Sequence, residues 1–64
     1  MTIKDLKKGD FFTLKQLEYP TEKQVYIRGE YDRTEKKYEC IRFDDISNTR
    51  YLSGSKEIYT DFIF

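Results

Sequence analysis

Apolar and polar residues alternate along most of the chain, which is the pattern of strands that bury one face. Five segments carry this alternation, at residues 11–18, 24–32, 38–43, 50–53 and 56–64. Gly29 interrupts the second segment, and a glycine inside a strand indicates a bulge or a sharp bend. The polar stretch 32–37 then connects the second and third segments as a hairpin.

One helical turn precedes the strands. Thr2 and Asp5 have the spacing of a helix N-terminus, in which the side chain of the third helical residue bonds back to the cap. Gly9 is well placed for the left-handed conformation that follows a last helical residue. The spacing therefore predicts a single turn over residues 3–8.

Five short strands in a chain this small favour a curled sheet. A flat sheet would expose an apolar face and two open edges, whereas a curled one buries the inner row of side chains. We therefore predict an all-β fold, a small five-stranded antiparallel barrel forming a single domain over residues 1–64. We expect the last segment to dock on the first strand and close the barrel, or to dock on a second copy.

The alternation also assigns side chains to the two sides of the barrel. The predicted interior consists of Phe12, Leu14, Val25, Ile27, Tyr38, Cys40, Leu52, Ile58 and Phe62. The residues expected to point outward are Phe11, Tyr26, Tyr59 and Ile63. Some of the latter would cover the barrel ends or form a second small core beneath the Tyr19-Pro20 segment.

Aromatic residues explain how so short a chain builds a core. A chain of this size buries only about 60% of the surface that its unfolded form exposes. Six Tyr and five Phe supply large apolar side chains, and disordered sequences are poor in such residues. The composition predicts a folded domain.

The segment Leu6-Lys7-Lys8-Gly9-Asp10-Phe11-Phe12 has a recognisable form. Together with strands at 25–27, 38–41 and 56–59, it resembles short proteins of bacteria and their phages that open with leucine-x-x-glycine-aspartate-x-phenylalanine. That resemblance implies a small barrel similar to Src-homology-type domains, and it carries over no functional residue. The chain departs from the pattern in its long charged segment 16–23 and its Phe-Ile-Phe end.

The polar residues argue against catalysis. Cys40 is the only cysteine and there is no histidine, so the chain can form neither an intramolecular disulfide nor a Cys/His zinc site. A Ser or Cys nucleophile would also lack its usual base. Asp44-Asp45 is the only adjacent acidic pair, and it is interpreted as loop residues that bond to nearby backbone amides. We therefore predict a protein that is not an enzyme and has no cofactor and no metal.

Charge and hydropathy limit the partners and the location. Twelve basic residues balance twelve acidic ones, whereas proteins that wrap phosphates usually carry a basic excess. No apolar run approaches the about 20 residues of a membrane span, and residues 1–8 lack the apolar stretch of a signal peptide. We expect a cytoplasmic protein without a membrane partner.

The surplus of aromatic residues indicates a binding role. The candidate binding residues are Phe11, Tyr26, Arg28, Arg42, Arg50 and Tyr59. Aromatic residues combined with arginine are typical of protein hot spots and of platforms for single-stranded nucleic acid. Glu30 and Glu39 can instead pair with these arginines as cross-strand partners, and because the charges are matched in number we expect such pairing.

Two hypotheses follow. The first is a non-catalytic interaction module that presents an aromatic and Arg-bearing face to a protein partner or to its own copy. Its link to a phage or mobile element depends on the resemblance alone. The alternative is a small barrel that binds single-stranded nucleic acid as a regulatory accessory.

Overall fold

Four antiparallel strands form one open sheet in the computed structural model, which covers residues 1–64. The strands are β1 (Phe11–Thr13), β2 (Val25–Asp32), β3 (Lys37–Arg42) and β4 (Asp45–Ser53), and they lie in chain order across the sheet. The helical structure is limited to two 3-10 turns, Ile3–Asp5 and Glu22–Gln24, and no helix is long and apolar enough to cross a bilayer. The predicted all-β class is confirmed.

The closed five-stranded barrel is wrong. The predicted last strand, 56–64, forms only two isolated bridges, Thr2 with Glu57 and Thr13 with Tyr59. The reason lies in the first strand, which is predicted over 11–18 but ends at Thr13. The Thr13 hydroxyl donates a hydrogen bond to the Lys15 carbonyl oxygen at 2.6 Å, where the strand ends. A strand of three residues offers the terminal segment few backbone groups, so the sheet stays open.

Docking of the terminal segment on the first strand is nevertheless confirmed. The Thr13 N–H donates to the Tyr59 carbonyl oxygen at 2.9 Å, and the Tyr59 N–H donates to that of Thr13 at 3.0 Å. Further along, the Ile63 N–H donates to the Glu18 carbonyl oxygen at 2.9 Å. The two bonds of Thr13 lie on the outer edge of β1, and the third joins the terminal segment to the chain that follows β1.

The predicted bulge at Gly29 is confirmed. Arg28 pairs with Cys40 and Tyr31 pairs with Tyr38, so two residues of β2 lie opposite the single residue Glu39. Gly29 is buried, and a Cβ atom there would overlap the Glu39 carboxylate. A side chain at position 29 would therefore require the Glu39 carboxylate to move.

The N-terminal turn is shorter than predicted. It ends after Asp5, because the backbone of Leu6 is already extended. The cap is present as the spacing predicts: the Asp5 carboxylate accepts one hydrogen bond from the Thr2 N–H at 2.9 Å and another from the Thr2 hydroxyl at 3.0 Å. Gly9 has a φ of +96°, and its N–H donates to the Arg28 carbonyl oxygen at 2.8 Å. This glycine thereby anchors the turn to β2.

The last strand of the sheet is longer and less regular than the predicted 50–53. Thr49 to Ser53 pair regularly with β3, but Ile41 pairs with Thr49 while its neighbour Arg42 pairs with Asp45. The three intervening residues, 46–48, therefore bulge out of the ladder. The segment predicted as a loop is thus partly an irregular strand.

The pairing register decides which side chains share a face. Phe12 lies opposite Tyr26, and Phe11 lies opposite Ile27. Paired residues project to the same side of a sheet. Tyr26 therefore shares the face of Phe12, which we call the core face, while Ile27 lies with Phe11 on what we call the back face. The predicted interior position of Ile27 and outward position of Tyr26 are wrong.

The core face carries the main hydrophobic core. Its buried members are Ile3, Leu6, Phe12, Cys40 and Ile58, with Leu14, Tyr26, Tyr38 and Leu52 packed against them. The residues from the N-terminal turn and the terminal segment cover this face. Val25 is fully buried but lies outside this core, because it pairs with Thr13 on the back face.

Candidate interaction surface

Three phenylalanine rings meet on the back face. Phe43 lies 5.7 Å from Phe11 and 4.9 Å from Phe64, and Phe11 lies 6.2 Å from Phe64, all between ring centroids. Phe64 meets both other rings edge-on. Phe11 is 43% exposed and Phe64 is 52% exposed, so the cluster, here called the phenylalanine triad, is open to solvent.

Three separate parts of the chain bring the triad together. Phe11 belongs to β1, and Phe43 follows β3 and donates its N–H to the Val25 carbonyl oxygen at 2.9 Å. Phe64 is brought over both rings by the docked terminal segment. The triad is therefore a product of the tertiary structure.

An apolar row continues from the triad across the sheet. Phe11 pairs with Ile27, and Ile27 pairs with Ile41, so the three side chains project from the same face of adjacent strands. Both isoleucines are half-buried. The triad and this row therefore lie on the same face of the sheet.

The six candidate binding residues do not form one site. Phe11 lies on the back face, and Tyr59 is bridged to Thr13 of that same face. The other four lie on the core face. Tyr26 pairs with Arg42, and both Arg28 and Arg50 pair with Cys40, which belongs to the core. The structure thus separates the exposed phenylalanine from the arginines.

Two of the three arginines are engaged within the molecule. The Arg28 guanidinium lies 4.4 Å from the Tyr38 ring centroid, and its Nη1 donates to the Gly29 carbonyl oxygen at 2.8 Å. Arg42 donates from Nε to the Asp44 carboxylate at 2.6 Å, which raises the pKa of Arg42. Arg50 is exposed and forms no ion pair.

The predicted pairing of these arginines with Glu30 and Glu39 is wrong. Glu30 pairs with Lys8, and this ammonium lowers the pKa of the Glu30 carboxyl. Glu39 instead accepts a long hydrogen bond, 3.4 Å, from the Glu30 N–H. The bulge is the physical reason, because it turns Glu39 towards the backbone of the opposite strand.

The groups considered for catalysis are buried or hydrogen-bonded within the fold. Burial raises the pKa of the Cys40 thiol to about 11, which leaves it protonated at neutral pH. The Asp45 carboxylate accepts from the Ser47 hydroxyl at 2.6 Å and N–H at 3.1 Å, and these bonds lower the pKa of Asp45. No group of three or more Cys, Asp and Glu side chains is placed to hold a metal.

Two open hollows flank the segment after β1. One, of about 180 Å³, is lined by Leu14, Lys15, Leu17, Lys23, Gln24 and Tyr26. The other, of about 350 Å³, is lined by Gln16, Leu17, Glu18, Asp61, Phe62 and Ile63. Each hollow is lined by three hydrophobic and three polar residues.

Sequence reasoning missed most of the back-face surface. Phe43 and Phe64 were not singled out, and Ile27 was assigned to the interior. The signal that identifies them is the register that aligns Phe11 with Ile27, and alternation alone does not specify a register.

No family model, curated protein or solved structure matches the chain.

Proposed function

We propose that the protein is a small, non-catalytic interaction module that binds a protein partner through the back face of its sheet. The observation that carries this proposal is the phenylalanine triad, which is exposed and lies on the same face as the Ile27–Ile41 row. Aromatic side chains at the centre of an apolar patch are enriched in protein interfaces.

The engaged arginines support the choice of this face. Arg28 and Arg42 are held by Tyr38 and Asp44, so a ligand on the core face would compete with contacts that already exist. A partner that buries the apolar surface of the triad does not have to break such contacts. Removing apolar surface from water contributes roughly 25 cal/mol per Å² before the costs of association.

A photo-cross-linking experiment tests the proposal. Phe11 is replaced by p-benzoylphenylalanine, and the protein is irradiated in an extract of cells that express it. We expect cross-linking to a discrete partner, suppressed by excess wild-type protein but not by excess Phe11→Asp protein. The charge of the aspartate would be desolvated in an apolar interface, which is costly.

Tyr19 provides the matched control position. It is an aromatic residue with 70% exposure, and it has no aromatic neighbour, so p-benzoylphenylalanine there samples random encounters. Identical products from the two positions, or no product at position 11, would contradict binding through the triad.

The alternative, binding of single-stranded nucleic acid, is supported by the unpaired Arg50 on the core face. Tyr26 and Tyr38 lie on the same face but pack against the core, so bases would have to stack on the parts of these half-buried rings that remain exposed. Titration of oligothymidine at low and rising salt tests it, with Arg50→Ala compared against Arg33→Ala at the exposed hairpin tip. If Arg50 contacts a phosphate, its removal reduces the salt slope by about one. No binding at low salt would eliminate this candidate.

A further inference from the structure

We infer that two copies of the chain associate through the outer edge of β4, in an antiparallel pairing centred on Tyr51. This inference is independent of the proposed function, because it uses an edge of the sheet and not the phenylalanine triad. The occupant of the edge is a second copy of this chain.

The outer edge of β4 is the uncovered edge of the sheet. The terminal segment covers β1 through the paired hydrogen bonds of Thr13 and Tyr59, whereas no strand lies beyond β4. Within β4, only the Ser53 carbonyl oxygen takes part in a backbone hydrogen bond outside the ladders and helical turns, which it accepts from the Lys56 N–H at 3.0 Å. An unpaired edge presents N–H and C=O groups ready to pair with another strand.

This edge carries only part of the usual protection against pairing. Proteins commonly protect edge strands with charged side chains, lysine above all, with proline, with shortness or with bulges. The charged residues of β4 are Asp45 and Arg50. Residues 45–53 contain neither lysine nor proline. The bulge at residues 46–48 breaks only one end of the strand and leaves Thr49–Ser53 as a regular five-residue edge.

The regular edge is self-complementary. A two-fold axis at Tyr51 places Tyr51 opposite its own copy, Thr49 opposite Ser53, and Arg50 opposite Leu52. Aromatic pairs and Thr–Ser pairs are among the favourable cross-strand combinations, and the aliphatic stem of Arg50 can cover Leu52. Because Tyr51 is 52% exposed, its ring is free to make this contact.

Neighbouring registers are less favourable. An axis at Arg50 sets two guanidinium groups directly opposite each other, which is destabilising. An axis at Thr49 requires regular pairing through residues 46–48, which bulge out of the strand. The net charge of zero adds no overall repulsion between two copies. These features together select the Tyr51 register and a second copy as the occupant.

Lysine substitution tests the association. Sedimentation equilibrium of the wild-type chain over a wide concentration range should show a monomer–dimer equilibrium. Tyr51→Lys places two ammonium groups at the axis and removes the aromatic pair, so we expect the dissociation constant to rise by about tenfold or more. Ile46→Lys is the matched control, because Ile46 is 79% exposed and lies outside the paired region.

Disulfide trapping tests the register. Cysteines at position 51 would face each other with Cα atoms within the roughly 4.4–6.8 Å that a disulfide requires. Cysteines at position 49 would be about four residues apart along the strands, or roughly 14 Å. We expect oxidation to link Tyr51→Cys and not Thr49→Cys, and buried Cys40 does not compete.

Each outcome decides the inference. A monomeric wild-type chain at all concentrations, or equal dissociation constants for Tyr51→Lys and Ile46→Lys, would overturn it. Faster cross-linking at position 49 would overturn the register. Circular dichroism of each variant distinguishes lost association from lost folding. If the Phe11→Asp variant still dimerises, association through the β4 edge does not depend on the phenylalanine triad.

Discussion

The Arg28 guanidinium carbon lies 4.4 Å from the centroid of the Tyr38 ring, on the side of the sheet that carries the core. Tyr31 packs against the same ring at 4.6 Å, and the Arg28 Nε is buried without a hydrogen-bond partner. A half-buried cation over an aromatic face is stabilising without any carboxylate. This relationship explains why an arginine that was predicted to bind a partner is engaged inside the molecule.

The Arg28–Tyr38 interaction predicts a measurable coupling. In a double-mutant cycle with Arg28→Met and Tyr38→Leu, we expect a coupling free energy of about 0.5–2 kcal/mol in chemical unfolding. Repeating the cycle with Tyr38→Phe in place of Tyr38→Leu should show almost no coupling, because the ring face is retained. A coupling of zero in the first cycle would mean that the contact adds no stability.

The bulge predicts a specific sensitivity at Gly29. A Cβ atom there overlaps the Glu39 carboxylate and lies 3.2 Å from the Glu39 Cβ. We expect Gly29→Ala to lower the free energy of unfolding by about 1–3 kcal/mol, and part of this loss to be recovered in a Glu39→Ala background.

Gly9 supplies the control for that experiment. Its φ is +96° and a Cβ atom there would meet nothing within 4 Å. Gly9→Ala should therefore cost about 1–2 kcal/mol through backbone strain alone. That cost should be the same with and without Glu39. Recovery by Glu39→Ala at both glycines would argue against a local clash at Gly29.

The phenylalanine triad predicts a contribution to stability as well as to binding. Phe43 and Phe64 meet edge-on at 4.9 Å, and such pairs contribute about 0.5–1.5 kcal/mol beyond their buried area. A double-mutant cycle with Phe43→Leu and Phe64→Leu should give that coupling. The pair Tyr51→Leu and Phe64→Leu, which shares no ring contact, should be additive.

The buried thiol predicts a dependence of stability on pH. Burial raises the Cys40 pKa from 9.0 to about 11, so the unfolded chain releases this proton at lower pH than the folded one does. The resulting stabilisation is fully present below pH 9.0 and is lost as the pH rises towards about 11. Wild type should therefore lose stability more steeply than Cys40→Ala across that window, as measured by urea unfolding. Parallel curves would contradict a raised pKa.

Local signals in the sequence were dependable where one residue type has a steric reason to be present. Gly29 indicated a bulge, and the bulge is present there, with the Glu39 carboxylate in the space that a Cβ atom would occupy. The Thr2–Asp5 spacing indicated a capped turn, which the structure contains in shortened form. The turn is short because Leu6 must extend to bury its side chain in the core.

The candidate site was less accessible to such reasoning. Of the triad, only Phe11 was predicted to bind, because Phe64 reaches it through a hydrogen bond between Ile63 and Glu18, far apart in the chain. The arginines were grouped with Phe11 because every second residue was assumed to face one way. The register placed them on the other side of the sheet.

The alternation of apolar and polar residues by itself determined that this chain is all-β, and its glycines and polar stretches located the bulge and the hairpin. These features depend on neighbouring residues and on backbone sterics, which are local. Tertiary structure alone decided which row of side chains became the core, because Ile3, Leu6 and Ile58 cover one face of the sheet. It also left the sheet open, because a three-residue β1 gives the terminal segment too few backbone groups to complete a barrel.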